Sequence, residues 1–139
     1  MTKVWVNGCF DILHMGHIEL LNFAASCCED NEDKAYLKVG LDSDQKIGKD
    51  KGKERPVKDQ YQRGMIILNL KSVDEVVIFD SQESLREEIR KYEPDIIVVG
   101  SEYKEKGVVG SEYAKSVVYF NRLNNWSSTN YIKKIKEIE

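Results

Sequence analysis

The stretch "GCFDILHMGH", residues 8–17, holds both histidines of this 139-residue chain, His14 and His17, with Gly16 between them. It follows a first apolar run at residues 4–6. After it, Ile18, Leu21, Ala25 and Cys28 recur at helical spacing. Strand, glycine-bounded turn and helix start make one strand–loop–helix unit, and that unit decides the fold. Four more apolar runs follow, at 36–41, 75–79, 96–99 and 117–120. Helical patterns lie at 61–70 and at 84–92, the latter with Ser81 or Ser84 as N-cap. The tail "STNYIKKIKEIE" offers Ser128 or Thr129 as a cap and Ile132, Ile135 and Ile138 as an apolar line. Strands alternating with helices imply right-handed crossovers and a parallel sheet covered on both faces. The expected fold is therefore α/β, a three-layer Rossmann-like domain on a five-stranded parallel sheet. No Ser/Gly linker divides the chain, so residues 1–139 are expected to form a single domain. "GSEY" occurs at 100–103 and again at 110–113, a spacing too short for a folding repeat and read as coincidence.

Composition narrows the function classes. Apolar residues at 41% and charged residues at 32% suit a globular protein with a proper core. No apolar run approaches the roughly 20 residues that span a bilayer, and no signal-peptide pattern opens the chain, so no membrane is expected. Cys9, Cys27 and Cys28 are odd in number and two are adjacent, a poor disulfide framework that suits the cytoplasm. Cys27 and Cys28 read as small buried helix residues. A net charge of −3 calls for no nucleic acid. The charge is uneven, however: Lys46, Lys49, Lys51, Lys53, Arg55 and Lys58 crowd one stretch, either a solvated loop or a local anion site.

Ligands of such sheets sit beyond the carboxyl ends of the strands. The segments leaving those ends are 8–17, 42–59, 80–83, 100–113 and 121–128, so the histidines and the basic run can serve one pocket. Zinc would need cysteines to complete its shell, and Cys27 and Cys28 lie about three helical turns beyond. A Cys9–histidine nucleophilic pair lacks an orienting third group. Histidines that merely fill a loop would leave the glycines and the basic run unexplained. A phosphate site explains more. Gly8 permits a tight turn near a ligand, Gly16 lets a base or phosphate approach the backbone, and the helix start directs its N–H groups and dipole at an anion. His14 and His17 then add side-chain donors.

These residues resemble the G-x-F-D-x-x-H-x-G-H signature, with its HxGH core, of the cytidylyltransferase-like nucleotidyltransferases. The family's second signature, a hydroxyl cluster opening the last helix, is matched by Ser127, Ser128 and Thr129, with Trp126 where a smaller residue is usual. The resemblance runs nearly end to end and is strongest to the adenylyltransferase domain of bacterial ADP-heptose synthases. It is carried by "KGKERPVKDQYQR", "GSEYKEKGVVGSE" and "SSTNYIKKI". Arg122 instead matches an arginine of glycerol-3-phosphate cytidylyltransferases.

The resemblance implies transfer of a nucleotidyl group from ATP or CTP to a phosphorylated sugar or polyol, with release of pyrophosphate. ATP and heptose 1-phosphate lead, and CTP with glycerol 3-phosphate is the alternative. A non-catalytic nucleotide-binding module is the rival from another class. His14, His17 and Lys51 take the catalytic roles. Gly8, Cys9, Phe10, Gly16, Arg63, Arg122, Ser127, Ser128 and Thr129 join the histidines around the nucleotide. Lys49, Glu102, Tyr103 and Lys104 fall on the acceptor side, Lys46 is a further phosphate candidate, and Lys53 reads as solvated. Asp11 is either a loop brace or part of a metal shell. Mg²⁺ is expected to arrive with the triphosphate, and a homodimer is left open.

Overall fold

The structure, a computed structural model, describes residues 1–121 and 127–138. The five strands are β1 (Lys3–Gly8), β2 (Tyr36–Asp42), β3 (Glu75–Phe79), β4 (Ile96–Gly100) and β5 (Ser116–Phe120). All pair in parallel, in the order β3-β2-β1-β4-β5. The helices are α1 (Met15–Ser26), α2 (Asp44–Lys51), α3 (Gln60–Leu68), α4 (Gln82–Tyr92) and α5 (Ser128–Ile138). No helix among the described residues is long and apolar enough to cross a membrane.

Alternation along the strands builds the three layers. Val4, Val6, Leu37, Val39 and Val98 meet Leu21 and Ala24 of α1 and Ile67 of α3 on one face. Trp5 and Ile97 point the other way, onto Leu85, Ile89 and Tyr92 of α4. The chain runs outward from β1 to β3, then crosses back to β4 on the other flank of β1. The crevice between the carboxyl ends of β1 and β4 is thus the switch point at which such sheets hold ligands.

Several elements differ from the sequence expectations. The segment 42–59 is not all loop: α2 occupies Asp44–Lys51, with Ser43 accepting from the Lys46 N–H at 3.1 Å and Gly52 (φ 102°) ending it. Only Ile47 of this helix is buried, so it has almost no apolar periodicity to reveal it. α1 stops at Ser26, which leaves Cys27 and Cys28 half-buried beyond it, their thiols donating to the carbonyls of Phe23 and Glu32. The cap of α5 is Ser127, whose Oγ accepts from the Asn130 N–H at 3.0 Å. The expected apolar line of α5 is largely uncovered, with Ile135 58% and Ile138 77% exposed. Both "SEY" segments form the same short 3-10 turn, Ser101–Tyr103 and Ser111–Tyr113, so the repeat has a local structural meaning.

Gly40 shows how tightly the α4 face is packed. A Cβ there would lie 2.5 Å from Trp5 Cζ2, and the Trp5 ring, itself 0% exposed, has nowhere to go. Gly40→Ala is expected to lower stability by about 1–3 kcal/mol in urea unfolding. Unchanged stability would contradict this packing.

Candidate active site

A pocket of about 500 Å³ opens over the carboxyl ends of all five strands, where Gly8, Asp42, Phe79, Gly100 and Phe120 line it. The 8–17 loop forms its centre. Gly8 serves a purpose other than the expected one: a Cβ there would lie 3.1 Å from the Phe10 ring, so the missing side chain makes room for that ring. The left-handed turn residue is Phe10 itself (φ 50°), 5% exposed and with its ring 5.1 Å from that of His17. Cys9 is half-buried, and burial, followed by the Asp42 carboxylate, pushes its thiol above the ordinary value.

Asp11 is a loop brace. Buried at 3% exposure, its carboxylate accepts from the N–H groups of Val57 and Lys58, each at 2.8 Å, and from Arg55 Nε at 3.4 Å. These are the bonds of the loop-bracing reading, and Asp11 also lines the pocket. Among the described residues no group of three His, Cys, Asp or Glu could hold a metal ion.

His14 and His17 form the capping box of α1. His14 Nδ1 accepts from the Gly16 N–H at 3.0 Å, and the His14 N–H donates to His17 Nδ1 at 3.2 Å. A neutral imidazole that accepts at Nδ1 carries its proton on Nε2, so both rings are fixed as Nε2–H donors. The rings stack with centroids 3.8 Å apart, and both line the pocket. The Gly16 N–H is spent on this box.

The basic run divides. Lys46 Nζ pairs with Asp42 at 3.2 Å and Asp50 at 2.8 Å. Burial alone would lower its pKa, but these carboxylates outweigh it and hold the ammonium above its ordinary value. Lys51 lines the pocket with its ammonium near the Cys9 thiol. Lys49 and Lys53 are exposed and away from the pocket wall. Glu102 and Tyr103 line the pocket, whereas Lys104 does not and lies over the Tyr119 ring at 5.8 Å.

Two expected nucleotide contacts are engaged with the protein's own backbone. Arg63 is neither a phosphate ligand nor a surface residue. At 1% exposure, its Nε donates to Lys58 O, Nη1 to the carbonyls of Cys9 and Asp42, and Nη2 to Asp44 Oδ1, all within 2.8–2.9 Å. Ser128 lines the pocket, yet its Oγ donates to Ile12 O at 2.8 Å and accepts from the Ile12 N–H at 3.2 Å. That hydroxyl docks α5 on the histidine loop, leaving Ser127 and Thr129 beside it on the pocket wall. Arg122 and Trp126 lie outside the described residues. Asp42, Asn7 and Gln82 line the pocket without having been singled out in the sequence. The carboxyl-end rule that selects Gly8 would also have selected Asp42, the last residue of β2.

Residues 5–134 match the family model described as cytidylyltransferase-like. The chain belongs to the cytidylyltransferase-like family. Among relatives, it is 41% identical over 133 residues to the bifunctional protein HldE of Wolinella succinogenes, which covers 96% of this chain and 27% of that protein. It is 43% identical over 135 residues to the bifunctional protein HldE of Campylobacter fetus, 97% of this chain and 28% of that one. The chain thus spans about a quarter of the length of these relatives. Among solved structures, the lipopolysaccharide core biosynthesis protein from Thermoplasma volcanium superposes with a TM-score of 0.65 at 26% identity, over 91% of this chain and 99% of that one.

Removing the Arg63 fork would orphan three backbone carbonyls, each costing about 1–3 kcal/mol if left unsatisfied. Arg63→Met is expected to destabilise by about 3 kcal/mol or more in urea unfolding. Arg63→Lys would recover little, because one ammonium cannot reach four acceptors. A loss below about 1 kcal/mol in Arg63→Met would contradict the bracing role.

Proposed function

We propose that residues 1–139 form a nucleotidyltransferase domain that moves AMP from ATP to heptose 1-phosphate and releases pyrophosphate. The observation that carries this reading is the stacked histidine pair, fixed as two Nε2–H donors at the switch point of the sheet. The acceptor needs no general base, since a phosphate monoester with a second pKa of about 6 is already anionic. An acceptor phosphate oxygen attacks the α-phosphorus, the bond to the bridging oxygen breaks, and that oxygen leaves on pyrophosphate. His14 and His17 donate to the oxygens on which charge builds. Lys51 bridges the triphosphate and the acceptor phosphate. Ser127, Thr129 and the N-terminus of α5 meet the β- and γ-phosphates. The backbone at Gly8, Cys9, Phe10 and Gly16 lies along the nucleotide, and Glu102 and Tyr103 stand at the pocket rim.

Mg²⁺ enters as part of the nucleotide substrate, on phosphate oxygens, since the Asp11 carboxylate is committed to the 55–58 segment. The choice of ATP and heptose 1-phosphate rests on the resemblance to ADP-heptose synthases and on the identity with bifunctional HldE proteins. Three free cysteines support a cytoplasmic place for the enzyme.

The test is pyrophosphate release from each of four nucleoside triphosphates, with Mg²⁺, against heptose 1-phosphate and glycerol 3-phosphate. ATP with heptose 1-phosphate is expected to lead. His14→Ala should lower kcat by about 10²–10³. His14→Asn, whose side chain can still cap α1, should restore stability without restoring turnover. Near-wild-type kcat in His14→Asn would contradict the donor role, and CTP with glycerol 3-phosphate leading the panel would overturn the substrate assignment.

A further inference from the structure

A carboxylate in the wall of a pocket that takes a triphosphate needs a reason. Asp42 is 9% exposed, ends β2 and lines the pocket. Its position is fixed from two sides: its carbonyl accepts from Arg63 Nη1 at 2.8 Å, and its Oδ2 accepts from Lys46 Nζ at 3.2 Å and from Cys9 Sγ at 3.7 Å. Oδ1 has no partner among the described residues, yet no buried side-chain oxygen there lacks one. Oδ1 is therefore accessible rather than sealed in the core, and Asp42 lines the pocket. A hydroxyl facing Oδ1 would donate a charge-assisted hydrogen bond.

The strand order indicates which substrate it faces. α5, with Ser127 and Thr129, follows β5 on one flank of β1, whereas Asp42 ends β2 on the other flank. In-line displacement at phosphorus puts the leaving group and the nucleophile on opposite sides. With pyrophosphate toward α5, the acceptor enters from the β2 side, past Asp42. Phe79, Leu85, Val108 and Val109 line the same pocket and offer an apolar surface to the C–H face of a sugar.

We propose that Asp42 is a specificity-determining residue whose Oδ1 accepts a hydrogen bond from a hydroxyl of a polyhydroxylated acceptor phosphate. This rests on the proposed nucleotidyl transfer. Asp42→Asn should raise KM for heptose 1-phosphate about 10-fold and Asp42→Ala about 100-fold, with KM for ATP within about twofold, as for a hydrogen bond to a charged group. Monodeoxy analogues of heptose 1-phosphate separate recognition from mere structure. One analogue should bind wild type as weakly as heptose 1-phosphate binds the variant, and the Asp42 substitution should then cost nothing further. That loss on wild-type protein can be read even if a variant fails to fold. An unmoved acceptor KM, a rise confined to ATP, or an equal penalty on every analogue would overturn the assignment. Wild-type protein that releases no pyrophosphate with any sugar phosphate would instead overturn the function on which it rests.

Discussion

The pocket depends on one buried cation. The Arg63 guanidinium draws together Cys9 after β1, Asp42 and Asp44 around the end of β2, and Lys58 before α3. A charge so deeply buried is tolerable only when its donors are satisfied, and the three carbonyls and one carboxylate meet that requirement. Asp11 makes the reciprocal stitch, an anion of the first loop holding the amides of Val57 and Lys58. Two opposite charges on different segments thereby fix the 8–17 loop against the 55–58 segment. α2, with Lys46 and Lys51, is set at its head by the same guanidinium through Asp44.

The second dependence is the double use of the histidines. As a capping box, they supply part of the N-terminal hydrogen bonding that α1 needs; in the proposed reaction, their Nε2–H groups would donate to the developing phosphoryl charge. Helix formation and donor orientation are therefore one event: if α1 frays, the imidazoles lose their tautomer and their direction together. Ser128 extends the arrangement by tying α5 to Ile12, which places the start of α5 against the first loop.

Much of the fold could be read from the sequence, because β1 to β5 are short apolar runs and most of the helices between them show one apolar face. α2 could not, since eight residues with one buried side chain present no periodicity. Ile132, Ile135 and Ile138 showed the opposite failure: the periodicity is real, but the pattern says nothing of what covers it. At the site, spacing brought out His14 and His17, and the family resemblance brought out the hydroxyl cluster; in each case neighbours in sequence are neighbours in space. A motif gives residue types but not partners: the Arg63 guanidinium and the Ser128 hydroxyl bond groups of other loops, which no pattern in the sequence announces. Asp42 was missed because a single acid after an apolar run is unremarkable until the pocket is seen around it.

The central claim is a single in-line displacement by the acceptor phosphate, with the protein supplying donors and alignment and forming no covalent intermediate. Cys9 and the two histidines line the same pocket and are the nucleophiles through which a two-step route would run. The stereochemical course at the α-phosphorus, followed with ATP chiral at that phosphorus, distinguishes the two routes most directly. One displacement predicts inversion of configuration in the product. Retention, the outcome of two successive displacements through an enzyme-bound nucleotide, would contradict the account.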